Sequence, residues 1–152
     1  MYRLLLLLTL FAFLHSSEAC NCTEKPRGVK REFLNSSSVF IGRVVSVASV
    51  RKGNDSIGST ISSFRVVFEL KKGYKNAWKK RIQVITNTED ECGVTFQKGI
   101  DYLVFAVGGI VLETDQCTRT RELIEADMDR FFLNSMLDNP ETEETDEKPN
   151  RD

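Results

Sequence analysis

The residues best placed to do chemistry are Cys20-Asn21-Cys22, because Met1 to Ala19 before them has the pattern of a segment that is removed. Cleavage after Ala19 would make Cys20 the first residue of the mature chain. A cysteine there carries an α-amine, a carbonyl oxygen and a sulfur within a few ångströms. An α-amine has a reference pKa near 7.7 to 8.0, so a useful fraction is neutral at physiological pH and can donate a lone pair to a metal. The amine nitrogen and carbonyl oxygen of one residue close a five-membered chelate, and a catalytic zinc keeps an open position for such a ligand. The sulfurs of Cys20 and Cys22 can meanwhile be tied down, which fixes the terminus in advance and avoids much of the ordering entropy of a free end. The plainer role, stapling the fold, holds whether or not the terminus also chelates.

Removal is expected from the pattern. Arg3 precedes an apolar run from Leu4 to Leu14, and Ser17-Glu18-Ala19 puts small residues at the positions a signal peptidase reads. The run is too short to span a bilayer. The expectation is a secreted, extracellular protein with no membrane anchor, divided into a signal peptide over 1–19, one domain over 20–137 and a tail over 138–152. That tail holds seven acidic residues against Lys148 and Arg151, two prolines and no large apolar side chain, a composition that cannot offset its ordering entropy by burial. The remainder is mildly basic, which suits an acidic partner or acidic glycans, but it lacks the concentrated basic face of a nucleic-acid binder. The single histidine, His15, leaves with the signal. Without it, or any nucleophile or phosphate-loop motif, the mature chain reads as a non-enzyme with no cofactor of its own.

All four cysteines, Cys20, Cys22, Cys92 and Cys117, fall in the mature part. In an oxidising compartment they read as two disulfides with three pairings open. A Cys20–Cys22 ring would be strained, so each is expected to reach a distant partner. A four-cysteine zinc site is the competing reading, but the wide spacing around Cys92 and Cys117 lacks the paired knuckles such sites use.

Elements must hold these cysteines in place. Glu32 to Ser38 fits a short helical turn with Phe33 and Leu34 inward. Val39 to Val50 reads as a long strand, Arg51 to Ser62 as a projecting loop, and Ser63 to Leu70 as a second strand by its alternation. Lys71 to Lys80 reads as a basic connection with Tyr74 and Trp78 capping the core. Arg81 to Thr86 makes a third strand, and Asn87 to Glu91 an acidic loop running into Cys92. Tyr102 to Val107 and Ile110 to Glu113 form a hairpin through Gly108-Gly109. Leu123 to Leu137 has near-helical apolar spacing and predicts an amphipathic helix on the sheet, with Leu123, Ile124, Met128, Phe131, Phe132 and Leu137 toward the core. The fold class is mainly β: a five-stranded, OB-fold-like Greek-key barrel with a flanking helix and two disulfides.

The set Cys-x-Cys at Cys20, Phe33-Leu34-Asn35, Gly53-Asn54-Asp55, Phe64 to Lys72 with Gly73, Cys92-Gly93-Val94, Tyr102-Leu103-Val104 and Cys117 resembles, in order and spacing, the N-terminal netrin-like domain of the tissue inhibitors of metalloproteinases. The resemblance covers nearly the whole mature chain up to the tail. It implies disulfides Cys20–Cys92 and Cys22–Cys117, and inhibition of secreted zinc metalloproteinases by an N-terminus wedged into their active-site cleft. The Cys20 amine and carbonyl would chelate zinc supplied by the target, and Asn21 would enter the primary specificity pocket. Cys22 and Thr23 would continue along the cleft, with Asn35, Glu89 and Asp90 as further contacts. The chain departs from the family at Leu34, where a cysteine of a third bridge would sit, and at Thr23-Glu24, where Val-Pro is frequent. Asn21, Asn35 and Asn54 each open a glycosylation pattern. A glycan on Asn21 could not fit into a proteinase pocket, so Asn21 is expected to stay mostly unmodified. The alternative is a netrin-like extracellular binding module that inhibits nothing, with Lys71 to Arg81 available to matrix or sulfated glycan ligands.

Overall fold

The computed structural model describes residues 20, 22, 28–54 and 60–138. The expected signal segment, Asn21, Thr23, the centre of the projecting loop and nearly all of the acidic tail lie outside them. In chain order come helix α1 (Val29–Asn35), strands β1 (Ser38–Asn54), β2 (Thr60–Lys75) and β3 (Arg81–Asn87), and a 3-10 turn at Glu89–Glu91. Then follow β4 (Asp101–Gly108), β5 (Leu112–Glu113), β6 (Arg121–Glu122), a second 3-10 turn at Leu123–Glu125 and helix α2 (Asp127–Asp138).

The strands run β1-β2-β3-β5-β4, and β1 pairs back with β4, so the sheet closes on itself as a five-stranded ring, with β6 added beside β4. Every pairing is antiparallel except β3 with β5. This is the expected five-stranded Greek-key arrangement of OB type. Alternation explains the walls. In β3, Ile82, Val84 and Thr86 turn inward while Arg81 and Gln83 stay exposed, the period-two pattern of a half-buried strand. Inside the ring, Phe40, Phe68, Phe96 and Tyr102 stack edge to face with centroids 5.5, 5.2 and 4.8 Å apart, the geometry the ring quadrupoles favour.

β4 breaks the alternation, since every residue from Tyr102 to Ala106 is buried. Its inward residues Tyr102, Val104 and Ala106 line the ring. Its outward residues Leu103 and Phe105 lie under a second core formed with Val39, Ile41, Tyr74, Ala126 and Leu133 and flanked by Val29 and Phe33 of α1. α2 is fastened to β2 at its far end, where Lys72 Nζ and the Tyr74 hydroxyl both donate to Asn134 Oδ1, at 2.7 and 2.8 Å.

Several expectations need correcting. The helix is amphipathic, but most of the stripe named for it faces outward: Ile124, Met128, Phe131, Phe132 and Leu137 are exposed, Phe131 by 69%, while Leu123 packs against the second core. Ala126, Asp129 and Leu133 take the inner face instead. Asp129 can do so because Arg119 grips both its oxygens, at 2.9 and 2.6 Å, and a paired, hydrogen-bonded carboxylate is tolerated where a bare one is not. Leu34 and Trp78 are also exposed, Trp78 by 75%, whereas Tyr74 is buried as expected. Lys71 to Lys75 belongs to β2 rather than to a connection, because Val39 to Ile41 of β1 pairs with it. Ile110 is the exposed apex of the β4–β5 turn rather than part of a strand. Gly108 has already reversed the chain at φ +108°, a conformation glycine adopts without strain.

The closing seam ends in a bidentate ion pair. Arg43 stands opposite Asp101 in register, and its Nε and Nη2 reach the two carboxylate oxygens at 2.7 and 3.0 Å. The hydrogen bond from Arg43, with its charge, holds Asp101 below the usual carboxylate range. A depressed folded-state pKa gives stability that is present above the unfolded value and lost as pH falls through the folded one. Asp101→Asn should therefore lower stability to denaturant at pH 6, with the gap between the two proteins narrowing as acidification protonates Asp101. A gap independent of pH would remove the ion pair from the seam. In α2, Leu133→Ala should cost roughly 2–5 kcal/mol, while Phe131→Ser should change stability by less than about 0.5 kcal/mol. Thermal unfolding of the two variants checks which stripe faces the core.

Candidate functional site

Cys20 is bonded to Cys92 and Cys22 to Cys117, with Cα separations of 5.5 and 5.4 Å. No described cysteine is free, which removes the four-cysteine zinc reading. Both distal cysteines sit at one end of the ring. Cys92 follows the end of β3, and Cys117 lies in the loop after β5, which runs parallel to β3.

Each anchoring loop is fixed by its own backbone groups. After β3, the amides of Glu91 and Gly93 both donate to the Thr88 carbonyl at 3.0 and 2.8 Å, and Cys92 N–H donates to the Glu89 carbonyl at 3.1 Å. This turn places Cys92 in the left-handed region at φ +62°, which costs a non-glycine residue about 1–2 kcal/mol and requires such bracing. Gly93 follows because the chain doubles back onto Asn87: a Cβ at Gly93 would overlap the Asn87 carbonyl oxygen. In the other loop, Asp115 Oδ1 accepts from Cys117 N–H and Thr118 N–H at 2.8 and 3.0 Å, a local cap typical of a short acidic side chain. Thr114 and Thr120 then tie the loop to β4. The Thr120 hydroxyl accepts from Phe105 N–H at 2.9 Å, and the Thr114 hydroxyl donates to the Phe105 carbonyl at 3.0 Å. These hydroxyls satisfy β4 between its pairings with β6 and β5, where an unpaired buried backbone group would be costly.

The two loops also hold each other. Gln116 N–H donates to the Cys92 carbonyl at 2.8 Å, and Gln116 Nε2 donates to the Gly93 carbonyl at 2.9 Å. Cys20 and Cys22 are therefore bonded to one hydrogen-bonded unit rather than to two independent loops. Sequence reasoning missed Gln116, Asp115 and the threonines; the only signal was the polar run Thr114 to Thr120 around a cysteine.

At the tip, the Cys20 carbonyl accepts from Cys22 N–H at 2.9 Å. A carbonyl oxygen has two lone pairs, so a single hydrogen bond does not use up its accepting capacity. Glu89 and Asp90 are exposed on the 3-10 turn that leads directly into Cys92, and so belong to the same end. Asn35 does not. It closes α1 beside the start of β1, which faces Lys75 at the end of β2, whereas the end of β3 faces Ser63 near the start of β2. The exposure of Asn35 is compatible with the glycosylation expected there. Asn54 ends β1. The β1–β2 hairpin continues past the end of β3 on the Cys92 side, since β2 pairs with β3 only from Ser63 onward. Among the described residues no group of three or more His, Cys, Asp or Glu could hold a metal ion, and no helix is long and apolar enough to cross a membrane.

No family model matches the chain, and no curated protein matches it in sequence. The chemistry of this end has to be argued from its own residues.

Gly93→Ala should destabilise the disulfide-bonded protein by roughly 1–3 kcal/mol, the range for forcing a methyl into occupied space. Gly109→Ala, whose Cβ would meet nothing within 4 Å, should stay within about 0.5 kcal/mol. Non-reducing urea titrations of both variants test whether the Cys92 turn is as tight as described.

Proposed function

We propose that the mature chain, beginning at Cys20, is a secreted inhibitor of zinc metalloproteinases and is not itself an enzyme. The Cys20 amine nitrogen and carbonyl oxygen would chelate the target's catalytic zinc and displace its water. Asn21 would enter the adjacent specificity pocket, Cys22 and Thr23 would lie along the cleft, and Glu89 and Asp90 would touch its rim. Asn35, at the far end of the ring, is left out of this surface.

The observation that carries the reading is the double tether. Cys20 and Cys22 are bonded to Cys92 and Cys117, and those two loops are joined through Gln116. A terminus meant only to staple the fold would need one bridge. Two bridges at alternate residues fix the direction of the chain as well as its position, and a ligand that must present nitrogen and oxygen to one metal gains affinity from that preorganisation. The resemblance to the netrin-like domain of the tissue inhibitors of metalloproteinases supports the same reading from the sequence side.

The test is titration of the correctly processed protein against a panel of secreted zinc endopeptidases, beside a form with one alanine added before Cys20. Extension turns the amine into an amide that cannot donate its lone pair, so inhibition should fall by about a hundredfold or more, a loss of roughly 2.8 kcal/mol. For the native form, binding should weaken about tenfold per pH unit below the amine pKa, because protonation competes with zinc. Equal inhibition by both forms would show that chelation is not the mechanism. Full glycan occupancy of Asn21 in glycopeptide mapping would exclude it sterically.

A further inference from the structure

The end of the ring away from the cysteines is built differently. β3 is paired with β2 along its whole length, but β5 joins it only at Val84 and Ile85. Arg81 to Gln83 therefore has a described strand neighbour on one side only. Beside this edge lies a cleft of about 550 Å3, between the β2–β3 connection and the β4–β5 turn, within the size range of ligand sites. Its floor includes Ile82 and Leu112. Its rim carries Trp78 from one loop and Ile110 from the other, two large apolar side chains that the fold leaves in water. Lys79 and Arg81 also line it, and among the described residues no acidic one does. Neither cation forms an ion pair among the described residues.

We propose that this cleft binds an extended acidic peptide, which adds as a strand to the open edge at Arg81–Gln83 and seats one apolar side chain between Trp78 and Ile110. Each feature selects part of that ligand. An unpaired strand edge offers backbone donors and acceptors in the spacing of another strand, and only a peptide backbone completes them. Exposed edges are ordinarily blunted or covered, and here the edge opens into a cleft. An apolar rim requires an apolar group, because Trp78 and Ile110 gain nothing from a wholly polar ligand. Lys79 and Arg81, with Lys80 next to them, favour acidic residues flanking that group. A sulfated glycan would satisfy the cations and leave both the strand edge and Ile110 unused. β3 is seven residues long, about 20 Å of strand, so the cleft is separate from the Cys92 end and the proposal does not rest on the inhibitory reading.

Trp78 is the only tryptophan in the chain, so its emission reports occupancy directly. The probe is an N-acetylated heptapeptide of alternating glutamates with valines and a central leucine, titrated into the disulfide-bonded protein. Its binding should shift the emission to the blue and saturate. Ile110→Ser and Arg81→Glu, checked for native circular dichroism, should each weaken binding tenfold or more. N-methylating one alternate set of peptide amides should abolish binding, and N-methylating the other set should not, because only one set faces the edge. Tolerance of both methylated sets would overturn strand addition. The proposal also fails if the peptide causes no shift up to millimolar concentration, or if a heparin tetrasaccharide gives the shift in its place.

Discussion

The structure depends on the closure of β1 onto β4. Six residue pairs, from Ser38 with Ala106 to Arg43 with Asp101, join segments about sixty positions apart in the chain. Closure converts one sheet into two environments. Phe40, Val44, Tyr102 and Val104 turn into a ring interior, while Val39, Ile41, Leu103 and Phe105 turn outward and need a cover. The helices provide it, through Leu133, Ala126, Phe33 and Val29. An apolar outer face on a closed sheet would otherwise stay in water, so α1 and α2 follow from the seam as much as from their own periodicity. The seam also reaches the cysteine end. The free edge of β4 at Phe105 is completed by the hydroxyls of Thr114 and Thr120, which brings the Cys117 loop against the strand that closes the ring.

The disulfides act on this frame over long stretches of chain, 72 and 95 residues. In the chain-entropy account a loop of that length removes about 4–5 kcal/mol of denatured-state freedom. The shared hydrogen bonds of Gln116 make the constraint local as well as global, because displacing Cys92 would also disturb Cys117. Cys20 is thus held by a covalent bond to a turn that is itself braced.

The strands were legible where alternation was strong, as in Phe64 to Leu70 and Ile82 to Thr86, since a half-buried strand writes its period into the side chains. Glu89 to Cys92 was legible as an acidic turn. The disulfide partners were not, because spacing alone leaves three pairings open, and the observed one was implied only by resemblance. The helix shows why pattern reading stops short. Periodicity reveals an apolar stripe but not which stripe faces inward. Met128 and Phe131 outscore Ala126 and Asp129 on any scale of apolarity, yet the inner stripe is set by what opposes it: Phe105 and Leu103 over Leu133, and Arg119 beside Asp129. Lys71 to Lys75 misled for a related reason. Lysines read as a connection, but a strand's partner decides its extent, and β1 continues to offer a partner as far as Lys75.

A single short strand accounts for the difference between the two ends. β5 has only two residues, too few to line β3 from end to end. Where β5 continues toward Cys117, the gap is filled: Thr114 N–H donates to the Ile85 carbonyl at 3.0 Å, and beyond it Gln116 bonds to the Cys92 turn. Before Leu112 there is no such continuation, because Gly108 to Val111 is occupied in turning the chain. The parallel pairing makes this asymmetry unavoidable. Antiparallel neighbours can be joined by a tight turn at the shared end, whereas parallel ones meet with both ends unjoined, and each end must be completed by something else. At one end that something is two hydrogen-bonded loops to which Cys20 and Cys22 are disulfide-bonded. At the other, the ring leaves Arg81 to Gln83 beside Trp78 and Ile110, with one edge of the strand unpaired among the described residues.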